Sequence, residues 1–198
     1  DGSGSGYNHI FEEAEKLIDK NGVLLVHKEN MGKGRALKTA FSYIINNIPD
    51  AVGGVTADCD GQHNVASIEK VSETLVSNPE NLILGVRSFD RKEIPWKSYF
   101  GNVITLKVFH LISGIKVSDT QTGLRGIPLG FMNELIELKE DRFEFEMQML
   151  LMTRHKHKIK EIPIATIYES KTNHKSHFNP WADSAKIYRI LFKQIFIK

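Results

Sequence analysis

An acidic turn set directly behind a buried apolar run constrains this chain more than any other feature. Ala51 to Ala57 reads as a buried strand and enters Asp58-Cys59-Asp60-Gly61-Gln62-His63. Ala66 to Val76 then takes helical spacing, and Asn78-Pro79 ends it. The same order occurs earlier. Val23 to His27 is an apolar run of strand length, Asn30-Met31-Gly32-Lys33-Gly34 is a glycine loop, and Arg35 to Asn46 is helical through Leu37, Phe41, Ile44 and Ile45. Before it, Tyr7 to Lys20 is a helix stopped by Asn21-Gly22. Leu82 to Val86 is a third buried strand ending at Arg87, followed by a long amphipathic segment from Trp96 to Ile112 that Gly114 closes. Thr120 to Ile127 reads as a short strand, Phe131 to Leu138 and Phe143 to His155 as helices, and Ile159 to Tyr168 as a strand, with a last helix from about Pro180. Strands alternating with helices, without repeats, predict an α/β fold with a mainly parallel central sheet and helices on both faces.

In such sheets ligands sit beyond the carboxyl ends of the strands. The polar clusters there are Glu29 to Lys33, Asp58 to His63 and Arg87 to Asp90, with Asn173 to His177 later in the chain. The 198 residues suit one domain with a core of its own. A formal charge of +2 gives no argument for a nucleic-acid partner. The single cysteine, Cys59, excludes an internal disulfide and any multi-thiolate zinc site, and it fits a reducing, cytoplasmic setting. Val103 to Ile115, broken by Lys107 and His110, is too short for the ~20 apolar residues of a membrane span.

Two carboxylates one residue apart, Asp58 and Asp60, with the carboxamide of Gln62, are hard oxygen donors suited to Mg2+ or Mn2+. Such an ion neutralises a departing diphosphate. The plainer reading is a solvated acidic turn ahead of a helix. His63 reads either as a ligand or base, or as a local hydrogen-bonding residue. Lys33 beside two glycines suggests phosphate contact, against a simple helix start, but no G-x-x-x-x-G-K-S/T pattern is present. Arg87 and Arg125 are candidates to hold phosphate by charge-assisted hydrogen bonds, or else form surface ion pairs. From Arg154 onward ten Lys or Arg face three Asp or Glu, and the last helix carries Lys186, Arg189 and Lys193 beside Ile187, Ile190, Leu191, Ile195 and Phe196. That pattern fits either an interfacial helix on an anionic membrane or a terminal helix docked on the sheet.

Thr56-Ala57-Asp58-Cys59-Asp60-Gly61-Gln62-His63 resembles the metal-binding Asp-x-Asp segment of inverting family 2 glycosyltransferases, especially the polyprenyl-phosphate sugar synthases. Asn30 to Leu37 is similar to that family's glycine loop, and Asp119-Thr120-Gln121-Thr122-Gly123-Leu124-Arg125 to its acceptor-side Asp-x-x-x-Gly-x-Arg motif. The resemblance implies a GT-A fold over residues 1–178, followed by the basic helix 179–198, and a Mg2+- or Mn2+-dependent transfer of a hexose from a nucleotide-diphosphate sugar to a polyprenyl phosphate. Alternatives are a saccharide hydroxyl as acceptor and a non-catalytic truncated homologue.

Carried over, the resemblance places Asp58 at the nucleotide, makes Asp58, Asp60 and Gln62 the metal donors, and gives Asp1 and Lys33 to donor binding. Arg87 and Arg125 fall to acceptor phosphate, Asp119 and then Glu146 are candidates to orient or deprotonate the acceptor, and Ser176 and His177 lie on a loop over the diphosphate. Asp1 would stand just past the family's second strand, so the first strands are expected to be missing from these residues. Peripheral contact with the inner face of the cell membrane is expected. No Gln-x-x-Arg-Trp, G-x-G-x-x-G or G-x-S-x-G motif points to a processive synthase, a nucleotide-cofactor oxidoreductase or a hydrolase.

Overall fold

The strand Asn81–Arg87 (β2) organises the molecule, because both of its faces are covered. In the computed structural model, which describes residues 1–18, 22–87, 96–165 and 182–195, Leu82, Ile83 and Leu84 are fully buried. Alternation along the pleat sends Ile83 to one side and its neighbours to the other. Ile83 joins Val71 and Leu75 of the helix Val65–Ser77 (α3), with Leu124, Ile162 and Ile164. Leu82 and Leu84 join a larger core built with helices Lys33–Asn47 (α2), Trp96–Ser113 (α4), Leu129–Leu135 (α5), Glu144–Lys156 (α6) and Ala182–Ile195 (α7). Truncating Leu84 to alanine there would cost about 2–5 kcal/mol. Helices therefore cover both faces, as the alternation predicts.

The sheet itself departs from the parallel expectation. Its order places Gly53–Thr56 (β1), Arg125–Pro128 (β3), β2 and Lys158–Ile164 (β4) side by side. β3 runs antiparallel to both β1 and β2, and only β2 and β4 are parallel. Arg125, at the start of β3, stands in register with Thr56 and with Leu84. The reversed strand thus begins at the edge where β1 and β2 end.

Val23 to His27 forms no ladder, and Val23, Leu25 and Val26 stay exposed. An apolar run supplies strand propensity, but a strand exists only where another lies alongside, and none of the described strands does. Thr120 to Leu124, expected as strand, is a loop leading into β3, buried except at Gln121. The helix Asn8–Leu17 (α1) buries no residue. On α7, Ile187, Ile190 and Leu191 are buried in the larger core while Lys186, Arg189 and Lys193 remain exposed. Those three apolar residues of the helix are thereby taken up by the protein's own core, while Phe192 is exposed. Among the described residues no helix is long and apolar enough to cross a membrane.

Candidate functional site

Lys33 opens α2 where the glycine loop meets the first turn of α6. Gly32 has φ +104°, a conformation that favours glycine, and a Cβ there would strike the carbonyl of Asp141 and the side chain of Arg142. At Gly34 a Cβ would collide with Phe145. Close packing against residues 141–145 thus explains both glycines. Arg35 N–H donates to Asp141 O at 2.9 Å, and the Asp141 carboxylate pairs with Arg35 at 2.8 Å and Lys38 at 2.6 Å. Burial by itself would raise the Asp141 carboxyl, but hydrogen bonds from Lys38 and Arg35 hold it below its ordinary value.

Asp1, expected at the donor, is engaged with the same loop. Its carboxylate accepts from Met31 N–H at 3.0 Å and Gly32 N–H at 2.7 Å, and it lies 2.8 Å from His27 Nδ1. His27 Nε2 is 2.9 Å from Thr39 Oγ1 on α2. In this arrangement Asp1 clamps the glycine loop and presents no unpartnered carboxylate to a ligand.

The loop places Lys33 between two carboxylates. Its Nζ is 2.9 Å from Asp58 Oδ1, two residues beyond β1, and 2.9 Å from Glu146 Oε2 on α6. Burial would lower the Lys33 pKa, yet the negative charges of Glu146 and Asp58 together raise it above its ordinary value. Gly123 faces the Asp58 carboxylate so closely that a Cβ would overlap it. Thr56 Oγ1 donates to Gly123 O at 2.9 Å, tying β1 to the loop before β3.

Arg125, expected at the acceptor phosphate, is turned into the protein. It is 1% exposed, and its guanidinium donates to Thr122 O at 2.9 Å, Glu146 O at 2.8 Å and Thr120 O at 3.3 Å. Turned inward and spent on carbonyls, it does not present itself to a phosphate. Its charge is opposed by burial and supported by Glu146, Asp119 and Asp58, with a net lowering of its pKa. Arg87 grips Asp119 in a two-pronged pair, Nε to Oδ2 at 2.7 Å and Nη2 to Oδ1 at 3.0 Å. Asp119 is 2% exposed and also accepts from Gln121 N–H at 2.9 Å. With both oxygens engaged, Asp119 holds Arg87 and the loop.

Asp60 is exposed, and its Oδ1 accepts only the local Gln62 N–H among the hydrogen bonds described, at 3.0 Å. Asn64 caps α3, its side chain accepting from Ser67 N–H at 2.8 Å, which fixes where the acidic turn ends. Among the described residues His63 Nδ1 is buried without a hydrogen-bond partner. No group of three or more His, Cys, Asp or Glu among the described residues is placed to cage an ion. The oxygen donors that could hold a divalent ion here are Asp60, Gln62 and Asp58, the last of which also pairs with Lys33.

Ser176 and His177 lie outside the described residues. Of the other expected residues, the structure joins Lys33, Asp58 and Glu146 directly, sets Arg125 behind them, and pairs Arg87 with Asp119. His27 and Asp141, which hold the glycine loop, were not singled out from the sequence. A histidine ending an apolar run and an acid before an aromatic helix start are weak signals.

No family model matches the chain. The uncharacterized protein MJ1222 of Methanocaldococcus jannaschii is 30% identical over 176 residues, covering 82% of this chain and 72% of that protein. The UDP-N-acetylglucosamine--dolichyl-phosphate N-acetylglucosaminyltransferase of Methanococcus voltae is 30% identical over 151 residues, covering 74% of this chain and 59% of that enzyme. An α/β body with helices on both faces of its sheet, and a polar cluster where β1 and β2 end and β3 begins, is consistent with a GT-A-like fold. The chain belongs to the same family as the MJ1222 protein, and its likeness to the Methanococcus voltae enzyme marks that family as glycosyltransferase-like.

Proposed function

We propose that this chain forms the catalytic core of an inverting transferase that moves a hexose from a nucleotide-diphosphate sugar to a polyprenyl phosphate. The observation that carries the choice of acceptor is the pairing of both candidate bases. Asp119 is held on both oxygens by Arg87, and Glu146 lies between Lys33 at 2.9 Å and Arg125 at 3.9 Å. A saccharide hydroxyl needs a carboxylate to take its proton. A phosphate monoester is already ionised near neutral pH and attacks unaided.

Charge supports the same reading. Lys33, Arg87 and Arg125 are each matched by a carboxylate among Asp58, Asp119 and Glu146. A diphosphate entering this site must therefore bring a counter-charge or draw a cation from its partner. Asp60, exposed at the turn between Asp58 and Gln62, would hold a divalent ion. When bound, such an ion neutralises charge on the departing diphosphate. Lys33, paired with Asp58, would offer the incoming phosphates a cation, and Arg87, at the end of β2, would border the acceptor side. The work of the chain's own residues is positioning and charge stabilisation. The outward basic edge of α7 suits peripheral contact with an anionic membrane face, where such an acceptor resides.

A mass-spectrometric screen of full-length protein with Mg2+ or Mn2+, a panel of nucleotide-diphosphate sugars and short-chain polyprenyl phosphate tests this. A polyprenyl-phosphate sugar product from one donor is expected. Transfer to added saccharides instead, or no product and no calorimetric binding of any nucleotide diphosphate, would overturn it.

A further inference from the structure

We infer that Arg125 is a positioning residue, which sets Glu146 and the loop Thr120–Gly123 without touching substrate; its rate test rests on the transferase reading. A guanidinium that is 1% exposed has left water, and it is tolerated only where its donors and charge are matched. Here the matching groups come from two separate segments. Thr120 O and Thr122 O belong to the loop before β3, whereas Glu146 O belongs to the first turn of α6, where the Met149 sulfur lies 3.5 Å from Nη1. The Glu146 carboxylate is 3.9 Å from Nε on one oxygen and 2.9 Å from Lys33 on the other.

One buried side chain thus fixes several site groups at once. The loop that it holds carries Asp119, which grips Arg87, and Gly123, which abuts Asp58. The turn that it holds carries Glu146, which locates Lys33. A planar fork with fixed donor directions can serve carbonyls of two segments together, and an ammonium cannot reproduce that arrangement. Displacement of about 1 Å in such groups is enough to cost on the order of 100-fold in rate.

The test is Arg125→Lys in the full-length protein, which keeps the charge and removes the fork, measured beside Glu146→Gln and the double variant. With circular dichroism unchanged, kcat for sugar transfer should fall ~10–100-fold while KM for the donor moves less than about threefold. The double variant should lose little more than Arg125→Lys alone, because the two residues act as one unit. Unchanged kcat in folded Arg125→Lys, or losses that multiply, would overturn the inference. Amide hydrogen exchange reads the same point without activity. Residues 119–124 and 144–149 should exchange faster in Arg125→Lys, with the amides of β2 unchanged. Wild-type exchange in both segments would overturn the inference, whereas faster exchange in a protein that transfers no sugar would sustain it and count against the transferase reading alone.

Discussion

The loop from Asp119 to Gly123 and the turn from Asp58 to His63 lie at one edge of the sheet, and the protein treats their polar groups in opposite ways. In the first, Asp119, Thr120 and Thr122 are buried, Asp119 is held by Arg87 and Gln121, and Thr122 Oγ1 donates to Gly85 O at 2.6 Å. In the second, Cys59 and Asp60 are exposed, and Asp60 accepts a hydrogen bond from its own turn. Saturated, buried groups are scaffold, because every displacement leaves a buried partner unmet. Exposed carboxylates on a tight turn retain bonding capacity for a ligand. Both segments carry aspartate, glutamine and glycine, so sequence motifs alone weigh them equally; burial separates them.

The sharpest way to break this contrast is to remove the buried cation. Arg125→Met should destabilise the fold by about 3–5 kcal/mol in chemical denaturation, since Glu146 and three carbonyls lose their partner. A shift within about 0.5 kcal/mol, the scatter of surface substitutions, would show the loop to be no scaffold. Asp60→Ala should do the reverse, lowering sugar transfer by ~100–1,000-fold while stability stays within about 0.5 kcal/mol. Retained transfer in that variant removes the metal assignment.

Gly123→Ala tests the contact between the two segments. The new methyl overlaps the Asp58 carboxylate, and a cost of about 1–3 kcal/mol is expected, together with weaker nucleotide binding in calorimetry. The smallest effect concerns acid. Because the Asp141 carboxyl is held below its ordinary value in the folded protein, its stabilising share is fully present above that ordinary value and is lost as pH falls through the lowered one. Asp141→Asn should therefore flatten the loss of stability below about pH 4, read as the denaturant midpoint against pH.

Much of the helical frame was legible in the sequence. Periodicity located α2, α3 and α6 within a few residues, and Asn64 and Asn78 mark the ends of α3 as such residues commonly do. Strand direction was not legible. The four residues of β3 are buried on both sides and carry no alternation that would tell parallel from antiparallel pairing. Val23 to His27 shows the converse, an apolar run without a neighbouring strand. Lys33, Asp58 and Glu146 were each readable as candidates, but their meeting depends on α6 lying against the start of α2. Nothing local to an arginine after a polar glycine loop signals that it is buried. The glycines beside Lys33 also give the room that Asp141, Arg142 and Phe145 require, which no local pattern signals.

The account turns on an acceptor that arrives already ionised. Its most direct test is the pH dependence of sugar transfer to short-chain polyprenyl phosphate by the full-length protein, wild type against Glu146→Gln. Turnover in the variant should persist, reduced about tenfold through the loosened Lys33 contact, with the acid limb of the profile unchanged. Loss of about 1,000-fold or more in a folded Glu146→Gln protein, with the acid limb absent from the residual turnover, would identify Glu146 as a base and contradict the proposed acceptor.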